Sequence, residues 1–180
     1  MRISTGGSST SDDLALVKTE LDHLPGAETD MLDAAGVGVI VCRHSVVDHR
    51  PDLAREAPRN WPEGYDWSHV PGCYAPDEKN VIIALVPVSG RAGRWQVPPQ
   101  GIMHNAWNLV VHETMHASDY VANRKRCRNR AFLAAREADR GSGGMANHPY
   151  EGRDDQAGDE ESYAESAARY FGEDPSMVGE

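Results

Sequence analysis

Cysteine is scarce in this chain: three in 180 residues, Cys42, Cys73 and Cys127, with no CxxC spacing. An odd number so spaced writes neither a disulfide framework nor a thiolate zinc site, and leaves the thiols buried or free. Positive charge is also short, 18 Lys and Arg against 28 Asp and Glu, for a net charge of −10. Nucleic acid and anionic membrane both demand a positive footprint, so neither is expected as a partner. No apolar run approaches the roughly 18 residues of a membrane-crossing helix. The opening MRISTGGSSTSDD has no apolar segment of the kind a secretory signal needs. A cytoplasmic location at synthesis is the expectation, with release by a signal-independent route, or excision from something longer, left open.

What is present fits one ordinary domain: 39% hydrophobic and 26% charged residues, with no internal repeat. Residues 1–10 are rich in Gly, Ser and Thr and read as a flexible N-terminus, the domain proper running over 11–180. Leu14, Leu16, Val17, Leu21 and Leu24 recur at helical spacing behind the capping group Ser11, Asp12 and Asp13. A further helical turn follows near Thr29 to Ala35, closed by Gly36, and Val37 to Cys42 reads as a strand. The stretch 50–72, with four prolines and Trp61 and Trp67, reads as a packed irregular loop. GCYAPDEKNVIIALVPV reads as a hairpin with its turn at Asp77 to Asn80 and an apolar second arm, Val81 to Val88. Helical patterns then cover Ile102 to Lys125, much of Arg124 to Arg140, and Asp159 to Phe171. The polar loop from Gly141 joins the last two.

Inside the long helix stands His112-Glu113-Thr114-Met115-His116, the HExxH pattern. Histidines at i and i+4 leave one helix face and can reach one metal ion, while the Glu beside the first His can touch a metal-bound water without ligating. A catalytic zinc takes three protein ligands and keeps one position for water, so a third ligand is needed. Ala122, where a metzincin would place a histidine, cannot serve, and the GTxDxxYG segment of an aspzincin is absent. The last helix offers Glu161 and Glu165, spaced i, i+4 beside the stripe Ala164 and Ala168. Asp119, one turn past His116, is a candidate to orient a ligand imidazole.

Three stretches, GVGVIVC with SVVD after it, GCYAPDEKNVIIAL and VVHETMHASDY, are followed by ESYAESAARYFGEDP. Together they resemble the catalytic domain of the anthrax lethal factor family, the Pro-Pro endopeptidases among them, over about residues 30–175. The resemblance implies that the Glu of an Ala-Glu pair in the closing helix is the third zinc ligand, which falls here on Glu165. It also implies a Tyr seven residues earlier, donating to the developing oxyanion. That position holds Gly158, a departure that leaves Tyr150 and His148 of the preceding loop as the candidate donors.

The expected molecule is a single α+β zincin-like domain, a small twisted mixed sheet packed on the HExxH helix and closed by the C-terminal helix. Zn2+ held by His112, His116 and Glu165, with Glu113 as general base, would hydrolyse peptide bonds. A peptide or protein substrate is expected to add as an antiparallel strand along Val81–Val88. Two rival expectations are a zinc-binding interaction module that has lost catalysis, favoured by Gly158, and a host- or competitor-directed effector protease.

Overall fold

The structure, a computed structural model, describes residues 1–57, 64, 66–142 and 151–174. In chain order the elements are β1 (Arg2–Thr5), α1 (Leu14–Leu21), α2 (Gly26–Ala34), β2 (Gly38–Arg43), β3 (Gly72–Ala75), β4 (Asn80–Pro87), β5 (Trp95–Gln96), α3 (Leu109–Val121), α4 (Arg130–Gly141) and α5 (Gln156–Phe171), with single 3-10 turns between. The sheet runs β1-β2-β4-β3, with β5 pairing the far end of β4. β1, β2 and β4 are mutually parallel, and β3 and β5 run antiparallel to β4. The expected α+β architecture with a small mixed sheet is therefore present.

β4 is apolar without alternation because both of its faces are covered. Val81, Ile83 and Leu85 pack with Val39 and Val41 against the helices, through Val17, Leu32, Val110 and Met115. Ile82 and Ala84 turn the other way with Ile40 and Cys42, onto Val46, Val70 and Trp67 of the irregular connection.

Two expectations are corrected here. Residues 1–10 are not a loose lead: β1 pairs β2 from Arg2↔Gly38 to Thr5↔Val41. Gly6 then donates its amide to the Val41 carbonyl at 2.7 Å, and the Ser9 hydroxyl donates to the same oxygen at 2.6 Å. An open strand edge takes any backbone, so Gly and Ser content says little about such a segment. Val81 to Val88, expected as the free edge, is the middle of the sheet: β2 flanks it on one side and β3 on the other. The hairpin folds its first arm outward and leaves β3 as the edge. Ala84 donates to the Pro71 carbonyl at 2.7 Å. In the observed register this turns the backbone groups of Cys73 toward β4 and those of Gly72 and Tyr74 outward.

The helix expected from Ile102 begins only at Leu109, where the Asn108 side chain accepts the Val111 amide at 3.1 Å. It stops where Asn123 and Arg124 both turn left-handed, at φ 56° and 59°. The Asp119 carboxylate, 1% exposed, accepts the amides of Arg126 and Cys127, each at 3.1 Å. Against α3 lies α5, whose fully buried Ala164 and Ala168 let the two backbones approach.

Candidate metal centre and cleft

α3 places His112 and His116 on one face, their Nε2 atoms 3.1 Å apart. From α5, the Glu161 carboxylate comes to 3.4 Å from His112 Nε2 and 3.7 Å from His116 Nε2. These three side chains each offer a ligand atom, all within 4.8 Å of one another. Around a tetrahedral zinc with bonds near 2.0–2.2 Å, ligand atoms stand roughly 3.3–3.5 Å apart, so the donor set and its spacing fit that ion. Without one, burial acts to lower the pKa of His112, but hydrogen bonds to Glu161 and Glu165 and the charge of Glu113 raise it well above its ordinary value. Glu161 is held well below the ordinary carboxylate range, because the two imidazoles outweigh its burial.

Glu165, the ligand implied by the family resemblance, is not among these facing atoms. Its Oε2 lies 3.4 Å from Nδ1 of His112, on the other side of that ring. It also accepts the Trp107 amide at 3.2 Å and Arg169 Nε at 3.0 Å, and is 3% exposed. The reason is the direction of α5. Trp107 donates its indole N–H to the Gly172 carbonyl, while Arg124 pairs with Glu160, so the helices run antiparallel. The carboxylate that meets both Nε2 atoms must then come from the earlier turn. Asp119, the candidate orienting group, is engaged at the end of α3, and Glu165 occupies the place beside the imidazole instead.

Glu113 leans against the edge strand. A Cβ at Gly72 would stand 2.9 Å from its Cγ and 3.1 Å from Leu109 Cδ1, so only glycine leaves room for this carboxylate between α3 and β3. Burial raises its pKa, with His112 and His116 working against that. The site opens into a cleft of about 620 Å³ lined also by Trp67, Val70, Tyr74, Met103, Tyr120 and Arg124.

The oxyanion donor has no counterpart at the family position. Gly158 is required where it stands: a Cβ would collide with the Arg153 carbonyl and come within 2.8 Å of Arg136 Nη2. Buried Arg136 donates to the carbonyls of Glu151 and Arg153 at 2.7 and 2.6 Å and to Ser162 Oγ at 2.8 Å, pinning this turn. Counted from Glu161, the position seven residues earlier is Asp154, an ion-pair partner of Arg140. Tyr150 and His148 lie outside the described residues. Gly72, Tyr74 and Tyr120 are site residues that the sequence reasoning passed over. Tyr120 had a signal, since it stands at i+4 from His116 on the same stripe.

No protein-family model matches the chain. A curated protein, the Pro-Pro endopeptidase of Paenibacillus alvei, is 28% identical over 117 residues, 63% of this chain and 48% of its own length. The chain thus spans about half the length of the curated relative it matches. Among solved structures, the Pro-Pro endopeptidase from Paenibacillus alvei superposes with a TM-score of 0.75, covering 96% of this chain and 86% of that one at 23% identity. The likeness in sequence and fold is to that endopeptidase, and it supports the mixed α+β fold described above.

Proposed function

We propose that the chain is a zinc-dependent endopeptidase whose ion is held by His112, His116 and Glu161, with Glu113 as general base. The observation that carries this reading is the meeting of three ligand atoms 3.1–3.7 Å apart beside a buried carboxylate at an open strand edge. Zinc bound there lowers the pKa of a water toward neutrality and polarises a carbonyl. The chain's own residues do the rest. Glu165, with Oε2 at 3.4 Å from His112 Nδ1, stands on the side of the ring from which a carboxylate can orient the imidazole and favour the tautomer that presents Nε2 as a lone pair. Glu113 takes a proton from the attacking water and passes it to the leaving amine. The outward backbone groups of Gly72 and Tyr74 hydrogen-bond an extended substrate laid antiparallel on β3. A substrate residue opposite Gly72 would then stand beside Glu113, within the cleft that His112, His116 and Glu161 also line.

The name of the Paenibacillus alvei relative directs the first substrate to try, a peptide containing a Pro-Pro bond, followed by a mixed peptide library. Cleavage read by mass spectrometry is expected to vanish with a chelator, return with zinc and be absent in Glu113→Gln. The second reading, a metal-binding interaction module without catalysis, draws on the absence of a donor side chain at Gly158 and at Asp154. Zinc bound at one ion per chain with no cleavage across the library would favour it.

A further inference from the structure

We propose that Tyr74 and Tyr120 form a subsite for one aromatic side chain of the substrate, on the N-terminal side of the cleaved bond. The existence of a cleaved bond rests on the endopeptidase reading; the subsite rests on geometry. Even-numbered residues of β3 face α3, since a side chain at Gly72 would meet Leu109 and Glu113 and the Tyr74 ring lies 5.4 Å from that of Tyr120. Residues directly opposed across a strand pair share a face. A substrate residue paired with Gly72 therefore directs its side chain toward Glu113, and one paired with Tyr74 directs its own onto the two rings. Those positions are two residues, about 6.8 Å, apart along a strand. Antiparallel addition puts the residue opposite Tyr74 on the N-terminal side.

The chemistry of the rings selects the occupant. Tyr120 is 46% exposed although it is aromatic, and among the described residues neither hydroxyl is engaged by a hydrogen bond. The two rings are tilted by 58°, an open wedge into which a third ring fits edge to face. The Arg124 guanidinium lies 5.3 Å from the Tyr120 centroid and steadies that ring. It is itself paired with Glu160 at 3.1 Å and with Asp119 at 3.6 Å. Arg124 belongs to the left-handed turn that ends α3 and also lines the cleft. With Arg124 already paired, the surface that the two rings present is aromatic and uncharged, and the wedge takes an uncharged ring.

The test uses the zinc-loaded full chain carrying Glu113→Gln, so that binding is read without turnover, and blocked alanine octapeptides with one phenylalanine moved through every position. Calorimetry is expected to show one favoured position, bound about tenfold tighter than the all-alanine peptide. Adding Tyr120→Ala is expected to bring the ratio below twofold, and Tyr120→Phe to keep it. Mass spectrometry of the same peptides cut by the unmodified enzyme is expected to place the favoured position N-terminal to the cut. Discrimination that survives Tyr120→Ala overturns the subsite, as does leucine binding equally well there, a favoured position C-terminal to the cut, or no binding by any peptide. Binding with the expected pattern and no cleavage of any peptide leaves the subsite standing and removes the endopeptidase reading.

Discussion

α3 and α5 contribute to the centre in different ways. α3 delivers His112, Glu113 and His116 from five consecutive residues, so their relation is fixed by helix geometry alone once the segment is helical. α5 delivers one of two carboxylates a single turn apart, and nothing within α5 decides between them. The choice is made by what α5 rests on: the Trp107 amide and Arg169 hold Glu165, and the antiparallel run along α3 leaves Glu161 for both Nε2 atoms. One half of the site is a local property of the chain. The other is a property of packing.

The largest effects should come from breaking either half. His112→Ala or His116→Ala is expected to abolish zinc binding by elemental analysis, because two remaining ligands cannot hold the ion against buffer. Glu161→Ala should do the same, while Glu165→Ala should weaken affinity by about 10–100-fold, as loss of an orienting partner does. The reverse order for the two glutamates would move the ligand to Glu165 and undo the assignment made from α5. Glu113→Gln is expected to keep zinc and lose about 10²–10⁴-fold in turnover; a variant retaining a tenth of the rate would point to another base.

A smaller change probes where the two kinds of contribution meet. Gly72→Ala sets a methyl against Glu113 Cγ and is expected to lower kcat roughly tenfold or more with zinc still bound, since misplacing a reacting group by about 1 Å can cost up to 10²-fold. An unchanged kcat in a folded, zinc-loaded variant would mean that the carboxylate has room to spare.

The same division explains what could be read from the sequence. The motif helix, the hairpin and β2 follow from local periodicity and turn chemistry, and each occurs near its expected place. Which of Glu161 and Glu165 faces both imidazoles, the free edge beside α3 and the order of residues 2–9 did not follow, because each depends on a distant partner. Glu161 needs the direction of α5, β3 is outermost only because β2 takes the other side of β4, and β1 exists because β2 offers it an open edge. Glu165, the expectation carried by the resemblance, lies in the same site one turn along α5, with Oε2 3.4 Å from His112 Nδ1.

Arg136 tests the packing half without touching the ligands. It is 6% exposed, pairs with Asp159 at 3.1 Å and satisfies two carbonyls and a serine hydroxyl. Arg136→Met would take the donor from the half-buried Arg153 carbonyl and from Ser162 and the partner from Asp159, while the Glu151 carbonyl keeps the Ser162 hydroxyl. It is expected to cost about 3 kcal/mol in urea denaturation, each lost partner being worth about 1–3 kcal/mol. Zinc affinity should fall with it, because the first turn of α5 loses its anchor. Full affinity in this variant would show that Glu161 is set by the Ala164 and Ala168 contact alone.

The smallest effect is expected at the opposite side of the sheet, where packing also overrides composition. One Asp48 oxygen accepts the Ser8 amide at 2.8 Å, the Ser8 hydroxyl at 2.9 Å and the Arg43 amide at 3.0 Å, tying the segment after β1 to the end of β2. Burial acts to raise the pKa of Asp48, but these donors outweigh it and hold the group below its ordinary 3.8. A carboxylate whose folded pKa is depressed adds stability above its unfolded pKa, and that addition is lost as pH falls through the folded value. Asp48→Asn keeps an acceptor but removes the charge, so it should cost under about 1 kcal/mol near neutrality, allowing for solvent screening. The difference from the unmodified chain should shrink as pH falls below 3.8. Urea midpoints measured between neutral pH and acid would record it. A difference that grows in acid would mean that the anchor acts through shape and not through charge.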